Sequence, residues 1–179
     1  DSKHLALKVL RNQERFGVLE TLLRPDNTMS GWPEAKIGDE FGPSFSTHWF
    51  QLKIDVPQSW IDSRYDIHLA WNCGCEASLY HSVSGKLLQA FTENVREVYK
   101  IKCSTKNELT AGSNHLEFLI EIACQNMLGA YEDEPWGGIV KMDKFYKLKI
   151  CEIRLVDPKM EEYYWDIESI RDAAKVMKS

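Results

Sequence analysis

From Phe50 to Val56, every second residue is apolar: Phe50, Leu52, Ile54 and Val56 alternate with Gln51, Lys53 and Asp55. Successive side chains leave a pleated backbone on opposite sides, so a period of two predicts a strand with one face on a core. Pro57 has no N–H for a ladder and ends the run. The alternation returns at Tyr65, Ile67, Leu69 and Trp71, predicted inward with Asp66 and His68 outward, and again at Leu116, Phe118, Ile120 and Ile122. Ala77–Tyr80 and Leu87–Phe91 flank Ser82-Val83-Ser84-Gly85, which predicts a hairpin. Val98–Lys102 adds a short strand, and Ala111-Gly112-Ser113-Asn114 supplies a turn into Leu116. Between Phe145 and Val156 the apolar phase moves from Tyr146, Leu148 and Ile150 to Ile153 and Leu155. That shift predicts one strand with a β-bulge near Cys151-Glu152. Six or more short strands with no helix between them predict an all-β antiparallel sandwich.

The two ends read differently. Tyr163, Ile167, Ile170, Ala174 and Met177 recur at helical spacing, and Asp166 can cap the first turn, so a helix is predicted over Ile167–Met177. Leu5, Leu7 and Val9 alternate like a strand, whereas Gln13–Leu23 suits a helix interrupted at Gly17. The chain thus divides into an N-terminal arm over 1–37, helical or mixed, a β-sandwich over 38–158, and a helical segment over 159–179.

Composition narrows the function classes. A chain of 179 residues is long enough for one well-buried domain. Its net charge of −5 argues against a nucleic-acid or anionic-membrane partner, because phosphate binding needs clustered Lys and Arg. The longest basic stretch, Lys141–Lys149, is broken by Asp143 and apolar residues. No apolar run approaches the roughly 20 residues that span a bilayer. The start lacks Met and a signal-peptide pattern, so the chain is expected to be a piece of a longer protein. Cys73, Cys75, Cys103, Cys124 and Cys151 are odd in number and lie mostly in apolar segments, which predicts reduced thiols. Cys73-x-Cys75 is spaced too closely for an ordinary zinc pair.

Three stretches carry a family resemblance. Phe41-Gly42-Pro43-Ser44-Phe45-Ser46-Thr47-His48-Trp49-Phe50 resembles the FGPxWxTHWF signature of cytosolic and vacuolar α-mannosidases of glycoside hydrolase family 38, with Phe45 where Trp is common. Glu121–Gly129 resembles that family's E-x-A-C-N-G-x-x-G segment, with Gln125 added before Asn126. The tail from Phe145 to Met177 is similar to the strand, Trp-rich crossing and helix that lead to its catalytic domain. The resemblance implies a jelly-roll, galactose-binding-like accessory domain. Its parent enzyme removes mannose from free oligosaccharides with retention, using zinc or another divalent metal and an Asp nucleophile. Those motifs are expected beyond Ser179, so this chain alone should bind no metal cofactor and should not catalyse. Its implied partners are the catalytic domain of the same polypeptide and further copies in a homo-oligomer. Its implied placement is cytoplasmic, or vacuolar without a signal peptide. The alternative is an independent carbohydrate-binding module.

Within the chain, Glu132-Asp133-Glu134 offers carboxyls crowded on one loop, whereas retaining hydrolysis needs two about 5 Å apart. Of the six tryptophans, Trp71 and Trp49 read as core or structural, and His48 as a satisfied structural histidine. Trp136 stands apart in Glu134-Pro135-Trp136-Gly137-Gly138, where the glycines admit a close partner and a Trp can anchor it. Trp136, Gly137 and Gly138 are therefore candidate inter-domain or ligand contacts. Glu121 and Asn126 are candidates too, reaching a neighbour from a strand end or closing their own turn.

Overall fold

The computed structural model describes residues 4–13, 18–24, 31–103, 106–109, 113–125 and 141–177. Among them, in chain order, are strand β1 (Leu5–Gln13), helix α1 (Val18–Leu22), strands β2 (Glu40–Phe41) and β3 (Thr47–Asp55), and helix α2 (Gln58–Ile61). Strands β4 (Asp66–Asn72), β5 (Glu76–His81), β6 (Leu87–Phe91), β7 (Val98–Cys103) and β8 (Lys106–Asn107) follow. Then come β9 (His115–Ala123), β10 (Tyr146–Lys147), β11 (Ile150–Val156) and helix α3 (Pro158–Val176). One sheet runs β1-β3-β9-β5-β6, a second runs β11-β4-β7-β8, and β10 pairs with β2 as a ribbon. Every pairing is antiparallel. The fold is the expected antiparallel sandwich with a C-terminal helix.

Alternation places the core. Phe50, Leu52 and Ile54 of β3 stand opposite Ile120, Phe118 and Leu116 of β9. Across the sandwich, Ile67, Leu69 and Trp71 of β4, Tyr99 and Ile101 of β7 and Ile153 of β11 join the same buried cluster. The sheets meet through aromatic edges: Phe50 against Trp71 at 5.1 Å and Tyr99 against Phe118 at 6.0 Å, spacings favoured by ring quadrupoles. The larger sheet is also covered on part of its other face. There Trp49 and Leu119 pack on Leu22 of α1, with Leu10, Trp32 and Tyr80 around them.

The ambiguous N-terminal stretch resolves into both readings. Leu5, Leu7 and Val9 pair with Ile54, Leu52 and Phe50, so the start is a sheet strand, while Val18–Leu22 is helical. Gln13 is the last residue of the strand and not a helix start.

Four details differ from the sequence reading. Residues 145–156 form two strands in different sheets, with no bulge in the β11–β4 register. Leu148 N bonds Asp39 O, while Lys149 N bonds Asn72 O. The change of apolar phase is therefore a handover between sheets. Asp66 and His68 lie on the outer face, as alternation requires, but both are buried, and a Glu161 carboxylate oxygen from α3 lies within 4.8 Å of their polar atoms. Tyr65 is half-buried just before β4 and lies beside the Arg64 guanidinium. Finally, α3 begins at Pro158, capped by Asp157, whose Oδ1 accepts from Lys159 N at 3.0 Å. Pro at the first helical position needs no N–H partner and has the right φ already. Asp166 sits inside the helix.

Phe50→Ala is expected to destabilise the chain by about 3–5 kcal/mol, lowering its thermal midpoint by roughly 10 °C. An unchanged midpoint in a thermal melt would remove Phe50 from the core.

Candidate functional site

The segment 41–50 turns the chain into β3, and its side chains build the corner. Phe41 is fully buried and meets Phe50 edge-on at 5.0 Å and His48 at 5.5 Å, with the Arg11 guanidinium 4.4 Å from its ring centre. A Cβ on Gly42 would lie 2.9 Å from Lys144 O and 2.8 Å from Phe145 Cδ1, so only glycine fits there. The Gly42–Pro43 peptide is cis. Phe45 holds a left-handed φ of 66° with its ring half exposed, a strained conformation for a bulky residue. Ser46 Oγ donates to Pro43 O at 2.6 Å and lies 3.0 Å from His48 Nε2. His48 is thus a buried, bonded structural residue. Phe45 N bonds Cys124 O and Cys124 N bonds Ser46 O, both at 2.9 Å. Ser44 Oγ donates to Lys141 O at 2.5 Å. The corner thereby holds the end of β9 and the return of the chain at Lys141.

Beyond the cover of α1, the outer face of β5, β6 and β9 carries a groove of about 300 Å³. Glu76, Ser78, Tyr80, Thr92, Glu121 and Gln125 supply its polar lining. These residues share a face because Glu76 and Ser78 stand opposite Ala123 and Glu121. The Tyr80 hydroxyl donates to Glu121 Oε2 at 2.9 Å, and its ring lies 5.6 Å from Trp49. Burial, reinforced by the Glu121 carboxylate, pushes the Tyr80 phenol above its ordinary range. It therefore remains a donor throughout the physiological pH range. A half-buried aromatic ringed by hydroxyl, carboxylate and amide groups is suited to hydrogen-bonding a polyol.

A third feature is a sulfur cluster. Gly74, with φ of 73°, turns the chain between Cys73 and Cys75, whose Sγ atoms lie 3.3 Å apart. Gly74 N bonds Asn72 Oδ1 at 2.7 Å. Cys73, Cys75, Cys124 and Cys151 are all free and buried. Hydrogen bonds to Cys124 and then Cys73, followed by burial, hold the Cys75 thiol far above its ordinary range. The bond from Cys75, with help from His48, eases Cys124 downward against its own burial. Burial pushes the Cys151 thiol up to about 12.

Of the candidate contacts read from sequence, Glu121 lies in the groove, half-buried and bonded to Tyr80. Asn126, Trp136, Gly137 and Gly138 lie outside the described residues, as do Glu132, Asp133 and Glu134. The structure joins Glu121 to Glu76, Ser78, Tyr80 and Gln125, which sequence reasoning had not singled out. Their signal was available: with Ala77 and Leu79 inward, Ser78 and Tyr80 are the outward positions of the same strand.

This sandwich, cornered at 41–50 and followed by a helix, is a jelly-roll type of β-domain. The family model for the jelly roll domain of α-mannosidase matches residues 12–154, and the chain belongs to that family. It is 32% identical over 151 residues to α-mannosidase G of Dictyostelium discoideum, covering 80% of this chain and 13% of that protein. Over 144 residues it is 24% identical to α-mannosidase 2C1 of Homo sapiens, covering 79% of this chain and 13% of the relative. An α-mannosidase of Saccharomyces cerevisiae is 28% identical over 145 residues, covering 79% of this chain and 12% of the relative. The chain thus spans only 12–13% of the length of these relatives. Among the described residues, no helix is long and apolar enough to cross a membrane.

Cys73, Cys75, Cys124 and Cys151 are expected to resist alkylation in the native chain, and all five cysteines to react after unfolding without reductant. Mass spectrometry of the alkylated chain checks this. Four oxidised cysteines in fresh material would overturn the reduced assignment.

Proposed function

We propose that this chain is the non-catalytic jelly-roll domain of an α-mannosidase, supporting a catalytic domain of the same polypeptide and helping to assemble its oligomer. The parent enzyme, in this reading, is a retaining glycosidase of mannose-containing oligosaccharides, whose zinc or other divalent cofactor sits in the catalytic domain. The observation that carries the scaffold role is the surface of α3. This 19-residue helix buries no side chain of its own. Met160, Tyr163, Ile167, Ile170 and Met177 recur along it at helical spacing, and each is more than half exposed. Such a stripe is the apolar face of a helix that packs against another body. The reading docks it on the catalytic domain. The free, buried cysteines support a cytoplasmic placement, or a vacuolar one reached without a signal peptide.

The Tyr80–Glu121 groove favours a second reading, an independent carbohydrate-binding module. Titrating the chain with mannose oligosaccharides separates the two. Saturable binding abolished by Glu121→Ala supports the module, and no binding supports the scaffold.

The purified chain should not turn over an aryl α-mannoside with zinc or cobalt added. Turnover that persists through repurification would overturn the accessory-domain reading. Ile167 lies on that stripe and is 64% exposed, so Ile167→Ala should not lower the melting of the 179-residue chain. In the complete enzyme the same substitution should lower activity or loosen the oligomer, because fully burying an Ile side chain contributes about 1.5–3 kcal/mol. Activity and sedimentation identical to wild type would take this part of the helix out of the interface.

A further inference from the structure

His68 is a residue whose burial the hydrophobic core does not explain. It stands on the outer face of β4, opposite Lys100 of β7 and Arg154 of β11. It is only 3% exposed, and its Nε2 has no hydrogen-bond partner. Buried polar atoms are nearly always bonded, so an orphaned imidazole nitrogen calls for an explanation. Asp66, two residues earlier on the same face, is also buried, with Oδ2 4.0 Å from that nitrogen. Glu161, in the first turn of α3, reaches the same point. A ring nitrogen of His68 and one oxygen from each carboxylate all lie within 4.8 Å of one another.

We propose that Asp66, His68 and Glu161 form a binding site for a divalent transition ion of the zinc class, which clips the first turn of α3 onto the outer face of the smaller sheet. One imidazole and two carboxylates are a donor set that such ions accept, with water in the remaining position. Zinc–ligand bonds of about 2.0–2.2 Å require the donors to draw closer than they stand here. Neutral imidazole is the form that ligates metals, and the unpartnered Nε2 leaves a ring nitrogen available for that role. The competing cation is Lys100, whose Nζ lies 2.7 Å from Glu161 Oε2. Arg154 is the other nearby positive charge and is held by Glu152 at 2.7 Å. A bound ion therefore takes Glu161 from Lys100. The clip matters mechanically because α3 buries no residue, so polar ties such as Lys100–Glu161 and Arg64–Asp157 hold its start. This site is separate from the thiols of Cys73, Cys75 and Cys124, and it does not depend on the function proposed above.

The test is calorimetric titration of the metal-free 179-residue chain with Zn²⁺, paired with thermal melts. One saturable equivalent and a raised midpoint are expected. His68→Gln and Glu161→Gln should each weaken binding by about tenfold or more. Lys100→Met should tighten it, because the competing ammonium is gone. Glu161 is half-buried on a helix surface, so Glu161→Gln tests the site even where His68→Gln fails to fold. Absence of saturable binding, or binding unchanged in Glu161→Gln, would overturn the proposal. So would a Co²⁺ derivative with the intense near-ultraviolet band of thiolate ligation, which would place the ion on the cysteines.

Discussion

Phe50 meets Phe41 edge-on at 5.0 Å on one side and Trp71 at 5.1 Å on the other. Through those two contacts a single ring fixes the corner that leads into β3 and the approach of the opposite sheet. Its strand neighbours extend the effect. Val9, Phe50 and Ile120 form one row across three strands, and Leu7, Leu52 and Phe118 form the next inward row. A strand's side chains alternate with a period of two, so a slip of one residue would turn every row to the wrong face. β3 cannot slip in either direction, because Trp49 is as buried on the outer face as Phe50 is within.

That two-sided burial explains what alternation could and could not reveal. The inward set Phe50, Leu52, Ile54 and Val56 was legible because its contrast with Gln51, Lys53 and Asp55 is strong. Burial of Trp49 depends on Leu22 of a distant helix, and no period of two reports that. Asp66 and His68 show the same limit from the polar side. Their outward phase was right, but a helix almost a hundred residues later lies over them. The phase change before Cys151 has the same sequence pattern for a bulge as for a change of sheet. Only the separate partners of Leu148 and Lys149 distinguish the two. The start of α3 was misread for another reason. Its first turns leave their apolar residues bare, so periodicity gave no weight to Asp157-Pro158, the pair that caps the helix.

The site was legible to a smaller degree. Glu121 drew notice through its place in a family-like segment, and the structure gives it a hydroxyl partner in Tyr80. Nothing local in the sequence joins residue 80 to residue 121. Pairing of β5 with β9 does so, by setting Ser78 against Glu121 and Tyr80 against Leu119. Likewise, the signature 41–50 looks like a recognition motif, yet most of its side chains are spent on geometry. Gly42 clears a carbonyl, Ser46 and His48 bond each other, and Phe41 and Phe50 fill the core. Phe45 is the exception, exposed and strained at the tip of the corner.

The two ends of α3 face different problems. Starting an isolated helix in water is costly, since forming the first turn fixes several dihedrals for one hydrogen bond. Asp157 and Pro158 relieve that nucleation cost, and the charges around Glu161 hold the first turn to the sheet. Beyond that turn, the exposed stripe from Tyr163 to Met177 gains nothing from the sandwich. A helix fixed at its base and bare along its length presents its apolar face in one direction. Fixing the base in advance reduces the orientational freedom lost when that face is covered, which strengthens association without adding a contact. In the proposed docking, polar clamping at residues 157–161 would orient the apolar face that is exposed from Tyr163 onward.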